Sequence, residues 1–410
     1  MNKGASRALK VYPWYSAITG DLLFYIAISS LFLTFVKGFS AAEIVSLSSI
    51  SQTVCIVVEF PILFVMKKIG NTASVRIGAF CLLLSAIFIT FGKTYLLVLV
   101  GKILHDIAAV FKNAAVVALE NNLDLLDRRS DFVRCRTVSN TIYSIITMLI
   151  SLVASYMFNL NNYLPMICCI TTCATGFVLS LYMKDYSAYN KTSSKSEART
   201  RVKINVNAAI IIIVILYSLY YSIVSNGQSE GNLFIQQNLL LDFDKEKTAL
   251  IIGVVVFVSR VVRVLSNVIF GKLYKKHMSI IGIMFTILLT AAFSLLLFGS
   301  FIPQIVVKIL VMGLGYAIIL FARDPFKLYM VDTVFARTPK EQHKTILIVF
   351  GLGVKIATAG TGLVFSAILL SYPLSVTMGV MLVIAVITIA LSAILHRMIS
   401  AEKQPETDSV

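Results

Sequence analysis

Apolar runs of about 20 residues, the length that crosses a membrane as one helix, recur along the whole of this chain of 410 residues. Backbone amides inside lipid must bond within their own segment. The pattern therefore predicts an all-α polytopic membrane protein with 12 transmembrane helices. The predicted spans are 14–36, 44–66, 73–91, 95–118, 133–157, 163–183, 206–226, 248–270, 278–298, 303–322, 345–370 and 374–396.

The charge content agrees with burial in lipid. Only 14% of the residues are charged and 58% are apolar, whereas a soluble domain carries about 25% charged residues. The net charge of +16 reflects basic residues on one side, because the predicted inner segments, together with the first turn of the spans that follow them, hold 26 of the 36 Lys and Arg, and the outer loops hold four. Such a bias predicts a cell-membrane protein with both termini cytoplasmic, and the placement argues against a nucleic-acid partner.

A polar segment divides the chain. The stretch KDYSAYNKTSSKSEARTRVKIN is basic and Ser-rich, which is typical of a flexible cytoplasmic linker. A weak repeat at an offset of 208 residues sets VMKKIGN opposite LYKKHMS. Together these features predict two related six-helix bundles, the layout of many transporters. The predicted parts are an N-terminal bundle at 1–183, the linker at 184–205, a C-terminal bundle at 206–400 and a cytoplasmic tail at 401–410.

The turns between spans carry a resemblance to a known family. The stretch EFPILFVMKKIGN resembles the signature turn of the major facilitator superfamily, Gly-x-Leu-Ala-Asp-Arg-x-Gly-Arg preceded by Glu-x-Pro, at Glu59, Pro61, Lys68 and Gly70. Lys67 stands where the family has its aspartate. The second-half copy, GKLYKKHMS, keeps Gly271 and Leu273 and has Lys275 at the acidic position.

Further stretches strengthen the resemblance to prokaryotic members. In span four, VGKILHDIAAVF is similar to the family's Arg motif, with Lys102 for the arginine and Asp106 for a glycine. The stretches GDLLFYIAISSLFLTFVKGFSAAEI and RDPFKLYMVDTVFARTPKEQH also resemble one branch of the family. The resemblance implies the 12-helix fold and a gating role for the turn after span two. The family's aspartate clamps the two halves on the inner side, and a lysine cannot make that contact.

Span four carries a polar stripe. A charge at the bilayer centre costs about 3 kcal/mol or more, so each one needs a reason. Lys102 and Asp106 are spaced as an i,i+4 ion pair. Such a pair either fixes the helix to its neighbours, or the stripe lines a cavity that binds substrate or carries a proton. The residues that share this face are Lys102, His105, Asp106, Lys112, Asn113 and Glu120.

Other spans add candidates for coupling and substrate binding. Asp21, followed one turn later by Tyr25, is a candidate proton site, or else a counter-charge for Lys102, Arg260 or Lys355. In span eight, Arg263 suits snorkelling to the inner interface, whereas Arg260 lies deeper and suits either an anion or an acidic residue of another span. Lys355 lies in span eleven, among glycines that favour close helix contact.

Cations outnumber acids within the spans, which favours an anionic or zwitterionic substrate with Arg260 as its clamp. The cations are Lys102, Lys112, Arg260, Arg263, Lys308 and Lys355, and the acids are Asp21, Glu59, Asp106 and Glu120.

The stretch SNGQSEGN at 225–232 has two interpretations. It opens a long outer loop if span seven ends at Val224, or it interrupts a helix that continues to about Leu241. The second interpretation leaves a short connection, DFDKEK, and is favoured. Irregular backbone at membrane depth is tolerated where it lines a cavity. A break at the two glycines would place Asn226, Gln228 and Glu230 in a binding element.

These features predict a secondary active transporter, a symporter or antiporter that works as a monomer by alternating access. Protons are the candidate coupling ion, and no cofactor is expected. A multidrug exporter of the same fold is the alternative within transport. A polytopic membrane enzyme is the alternative of another class, although the sequence contains neither His-Glu-x-x-His nor Gly-x-Ser-x-Gly. No metal site is expected, because the cluster CCITTC lacks nearby His or acidic residues.

Overall fold

A computed structural model describes residues 2–186, 208–273, 280–339 and 343–402. Its described secondary structure is helical. A π-helical turn, Phe32–Val36, follows α2. The helices are α1 (Asn2–Ile18), α2 (Leu23–Leu31), α3 (Ala41–Phe91), α4 (Tyr95–Leu125), α5 (Phe132–Leu160), α6 (Leu164–Ser180), α7 (Ala208–Leu239), α8 (Lys245–Leu273), α9 (Ile281–Gly299), α10 (Ile305–Phe335), α11 (His343–Ile368) and α12 (Leu374–Glu402).

Within the described ranges, nine helical segments are long and apolar enough to cross a membrane. Three features account for the difference from the 12 predicted spans. The helix α3 contains two of the predicted spans, and α4 carries the charged residues of the polar stripe. The helix α6 has only 17 residues, which is short for a span. The chain is therefore a multi-pass membrane protein.

The first predicted span is broken in its middle. Between α1 and α2, Leu22 has non-helical backbone angles, φ −75° and ψ 84°. The Leu22 amide donates to the Asp21 carboxylate at 2.8 Å. The acid therefore gives a hydrogen-bond partner to an amide at the helix break, where helical backbone bonding is interrupted. A Cβ on Gly20 would lie 2.5 Å from the ring of Tyr143 on α5, so this close approach requires glycine.

The predicted turn after span two lies inside α3. At 1.5 Å per residue, 51 residues extend about 75 Å, more than twice the hydrocarbon thickness of a bilayer. A kink at Gly70, with φ 80° and ψ 169°, separates the two spans. Positive φ is strained for residues other than glycine, and open space surrounds this position, so conformation alone requires the glycine.

The predicted interruption of α7 is wrong. The helix is continuous from Ala208 to Leu239, and neither glycine of the polar stretch has positive φ. The predicted extension towards Leu241 and the short connection are confirmed, so the alternative of a long outer loop is also wrong. The glycines instead admit neighbouring rings: a Cβ on Gly227 would lie 2.7 Å from Phe293, and one on Gly231 would lie 3.4 Å from Tyr316.

The described residues belong to two compact units. Unit 1 comprises Met1–Phe39 and Ile50–Arg199, and unit 2 comprises Ser40–Ser49 and Thr200–Val410. Residues 187–207, which include most of the predicted linker, lie outside the described part of the chain, as do 403–410 of the predicted tail.

The first residues of the predicted linker are bonded to unit 1. Asp185 is 5% exposed, and its carboxylate accepts from the side-chain amides of Asn71 and Asn121, each at 2.7 Å. Its own amide donates to the Thr72 hydroxyl at 2.9 Å. These bonds fix the chain after α6 to the turn at Gly70 and to the end of α4.

Candidate functional site

The break in span one and the polar face of α4 form a charged network in unit 1. His105 lies between two carboxylates: its Nε2 is 2.7 Å from Asp21 Oδ1, and its Nδ1 is 2.9 Å from Asp106 Oδ1. The Lys102 ammonium is 3.7 Å from Asp106, which confirms the predicted i,i+4 pair. The Ser51 hydroxyl of α3 donates to the other Asp106 oxygen.

Both ring nitrogens of His105 face carboxylate oxygens, and this geometry suits an imidazolium that donates twice. Together with Lys102, an imidazolium balances the two carboxylates, which offsets the cost of placing charge at membrane depth. Loss of the imidazolium proton would leave the acids in excess. The network of Asp21, Lys102, His105 and Asp106 can therefore hold and release one proton.

A cavity of about 20 Å³ adjoins this network and has room for about one water molecule. Asp21, His105 and Lys112 contribute polar groups to its wall. Tyr25 interacts electrostatically with Lys102 and Asp21. The predicted stripe is thus only partly assembled, because Asn113 is exposed and makes none of the contacts described for the network.

In unit 2, one group of polar residues on α7 faces α11. Asn226 donates to the Thr361 hydroxyl at 2.8 Å, and the Ser222 hydroxyl lies 2.6 Å from the same atom. Glu230, one turn after Asn226, is only 2% exposed. Regular helix therefore carries these polar groups, without the predicted irregular backbone.

A second group on α7 faces α10. Gln228 accepts from Arg323 at 2.7 Å through its side chain, and its carbonyl accepts from the Tyr316 hydroxyl at 3.1 Å. Arg260 and Arg323 both act electrostatically on Tyr316. The sequence prediction missed Arg323 because span ten was ended at 322, whereas α10 continues through Pro325 to Phe335.

Two ion pairs use acids that lay outside the predicted spans. Arg263 binds Asp324 with two bonds, Nε–Oδ2 at 2.7 Å and Nη2–Oδ1 at 3.1 Å, a kind of bridge that the sequence suggested for Arg260. Lys308 Nζ lies 2.8 Å from Asp242 Oδ2. The excess of cations counted from the sequence is therefore smaller than predicted. Lys355 is half-buried in α11.

The candidate gating turn is described in its first copy only. Lys67 and Lys68 are exposed next to Gly70, and Lys68 Nζ lies 4.6 Å from the centre of the Phe64 ring. Glu59 is half-buried and lies five residues before Phe64 on the same helix. In the second copy, Lys275 lies outside the described residues, and Gly271 is described only as part of α8.

Comparisons with known proteins find similarity in structure. No family model and no curated protein sequence matches the chain. The nucleoside transporter NupG is 12% identical, with a TM-score of 0.73 over 97% of this chain and 99% of that one. A bacterial homologue of the iron transporter ferroportin, in an inward-facing state, is 10% identical, with a TM-score of 0.70 over 95% and 98%. A variant of the peptide transporter POT is 10% identical, with a TM-score of 0.68 over 97% and 95%.

Proposed function

We propose that this chain, which has the fold of the major facilitator superfamily, is a secondary active transporter that moves a small solute across the cell membrane by alternating access. The observation that carries the proposal is the charged network of unit 1, built from a broken span and the polar face of α4. Charge at membrane depth is costly and marks ion or substrate pathways in membrane proteins.

Protons are the proposed coupling ion. His105 joins Asp21 and Asp106, so one proton can be shared among three groups without a large rearrangement. Binding or release of that proton changes the net charge of the network by one. The change in charge gives the transport cycle a way to respond to a proton gradient.

The proposed substrate is an anionic or zwitterionic solute, with Arg323 as the clamp. Its guanidinium has one described side-chain bond, to the neutral amide of Gln228, which leaves other N–H groups of the fork for a carboxylate or phosphate. Arg260, the clamp predicted from the sequence, also acts on Tyr316 and therefore belongs to the same cationic region.

Counterflow in liposomes tests the transport proposal. Liposomes that contain the purified protein would be loaded with one unlabelled compound at a time, and the uptake of the same labelled compound from outside would be followed. The compounds are uridine, succinate, dialanine and tetraphenylphosphonium. The panel covers a nucleoside and a peptide, as in two structural neighbours, together with an organic anion and a lipophilic cation. We expect exchange of an anion or zwitterion. Chemical conversion of a compound without exchange would favour the membrane enzyme.

Thermal stabilisation by the same compounds tests the clamp. Succinate or dialanine should raise the melting temperature of the parent protein, and Arg323→Ala should abolish the increase. Lys247→Ala is the control, because Lys247 is exposed and pairs only with Asp244 among its described contacts. Stabilisation by tetraphenylphosphonium alone, undiminished in Arg323→Ala and Arg260→Ala, would contradict the anion proposal and support the multidrug exporter.

Cysteine labelling tests the proposed orientation, in which both termini are cytoplasmic. Ser194→Cys should be protected from a membrane-impermeant maleimide in intact cells, and Lys245→Cys should react. The parent chain, whose native cysteines lie in helices, provides the background signal. Labelling of position 194 from outside would contradict the orientation.

A further inference from the structure

Glu230 is a carboxyl group at membrane depth that the contacts of unit 2 leave unexplained. It lies on α7 between two glycines, and only 2% of the residue is exposed. Within the described residues, neither of its carboxyl oxygens has a hydrogen-bond partner. The acids of unit 1 differ, because Asp21 and Asp106 both lie within hydrogen-bond distance of His105.

The two glycines that flank Glu230 on α7 pack against rings and apolar side chains. The adjacent glycines on α7 lie against Phe293 and Leu296 of α9 and against Tyr316 of α10. The Tyr316 hydroxyl donates to the carbonyl of Gln228 at 3.1 Å and is not bonded to Glu230.

A hydroxyl of α12 is the polar group beside Glu230. Thr377 lies next to the carboxyl, but its hydroxyl donates to the carbonyl of Leu374 at 2.8 Å. A hydroxyl whose proton is used in this way can still accept a hydrogen bond. The site therefore offers an acceptor to a protonated acid. The Thr377 hydroxyl could donate to an ionised acid only by giving up its bond to the carbonyl of Leu374.

Among the described residues, no charged group on the helices packed against α7 interacts with Glu230. Arg263 and Lys308 bind acids elsewhere, and Arg323 binds Gln228. The helix α9 contains no charged residue. The charged and titratable groups that lie more than one turn from the ends of these helices are Arg260 and Arg263 of α8, Tyr316, Arg323, Asp324, Lys327 and Tyr329 of α10, Lys355 of α11, and His396 and Arg397 of α12.

An ionised carboxylate in an apolar site without donors costs several kcal/mol or more, and such a group takes up a proton instead. We propose that Glu230 is a proton-binding site, distinct from the network of unit 1, and that it carries its proton in the conformation described here. Its role in coupling rests on the proposed transport function. Exposure of Glu230 to water during the cycle releases the proton, and burial requires that it be bound again.

A neutral Glu230 also narrows the substrate class. An ionised Glu230 would provide a negative charge for the ammonium group of a zwitterion. A protonated Glu230 does not, so the cationic region at Arg323 favours an anion over a zwitterion.

Infrared spectroscopy of the full-length protein at neutral pH tests the protonation directly, because a carboxylic acid has a C=O stretching band that a carboxylate lacks. We expect Glu230→Gln to lose the intensity of one such band. Asp244→Asn should keep it, because Asp244 is exposed and accepts from the Lys247 amide at 2.8 Å. An unchanged band in Glu230→Gln would overturn the proposal.

A second variant covers the case in which Glu230→Gln does not fold. Glu230→Asp keeps an acid at the site, so the band should shift in frequency, and a band identical to that of the parent would again overturn the proposal. The infrared result does not depend on transport. Loss of the band in a protein that exchanges none of the panel compounds would support the proton site and contradict the transport function.

Discussion

The segments around Asp21 and Glu230 place a carboxyl group at membrane depth in two different ways. At Asp21 the helix breaks, and the amide of Leu22 donates to the carboxylate at 2.8 Å while His105 lies 2.7 Å away. At Glu230 the helix α7 is continuous over 32 residues, and the carboxyl has no hydrogen-bond partner among the described residues.

This difference has a simple physical cause. A regular helix uses its interior amides for its own hydrogen bonds, whereas a helix break leaves amides that can donate to a side chain. A broken span can therefore support an ionised acid, and a continuous span favours a protonated one unless another side chain donates to it. For this reason we infer that Asp21, in the broken span, is held as a carboxylate, and that Glu230, in the continuous span, is held as a protonated acid.

Removal of His105 should have the largest effect on stability. His105→Ala leaves two carboxylates close together without their shared partner, so we expect a loss of about 3 kcal/mol in the free energy of unfolding. Equilibrium unfolding in mixed micelles measures the loss. Asn113→Ala, on the exposed part of the same helix, should change it by less than about 0.5 kcal/mol. Equal effects of the two variants would contradict the proposed network.

The pair of Arg263 and Asp324 tests whether unit 2 holds its ionised acids through side chains. A double-mutant cycle with Arg263→Ala and Asp324→Ala should give a coupling of about 1.5 kcal/mol, because the pair is bidentate and only partly exposed. Unfolding of the four proteins under the same conditions provides the measurement. Additive losses would show that the pair contributes nothing beyond its separate side chains.

Alanine substitutions at the two glycines of α7 test whether its backbone is a continuous helix, and we expect smaller changes in stability than for the ion pair. Gly227→Ala should lose about 1 kcal/mol, since its methyl group would meet the Phe293 ring at 2.7 Å. Gly231→Ala is the matched control. Its methyl group would make ordinary contact with Tyr316 at 3.4 Å, so the gain in helix propensity should leave stability unchanged or slightly higher. A loss at Gly231 as large as at Gly227 would indicate a backbone that needs glycine at both positions.

The sequence predicted the membrane fold more completely than the site. Long apolar runs and the distribution of Lys and Arg could be interpreted from the sequence, because they reflect the membrane rather than contacts between helices. The spacing of Lys102 and Asp106 along one helix likewise predicted their pairing. The break was assigned to the wrong span, because two glycines in α7 suggested irregular backbone, while Gly20 and Asp21 carry a weaker signal. The contact of α7 with Phe293 depends on tertiary packing, which local sequence does not encode.

The side-chain partners were the least predictable part of the site. Asp324 lay outside the predicted spans because span ten was ended at 322, but α10 continues through Pro325 to Phe335. The distance between Arg263 and Asp324, 61 positions apart in the chain, depends on how α8 packs against α10. The bridge from His105 to Asp21 likewise joins α4 to the break between α1 and α2, and no local pattern reveals how these two segments are aligned.

Accumulation against a gradient is the most direct test of proton coupling through the network of unit 1. Liposomes would be given an imposed pH difference, and uptake of the compound that counterflow identifies would be measured for the parent protein, Asp21→Asn and Asp106→Asn. We expect the parent to concentrate the compound, and each variant to exchange it but fail to concentrate it, because the shared proton is lost. Normal accumulation by both variants would contradict coupling at this network.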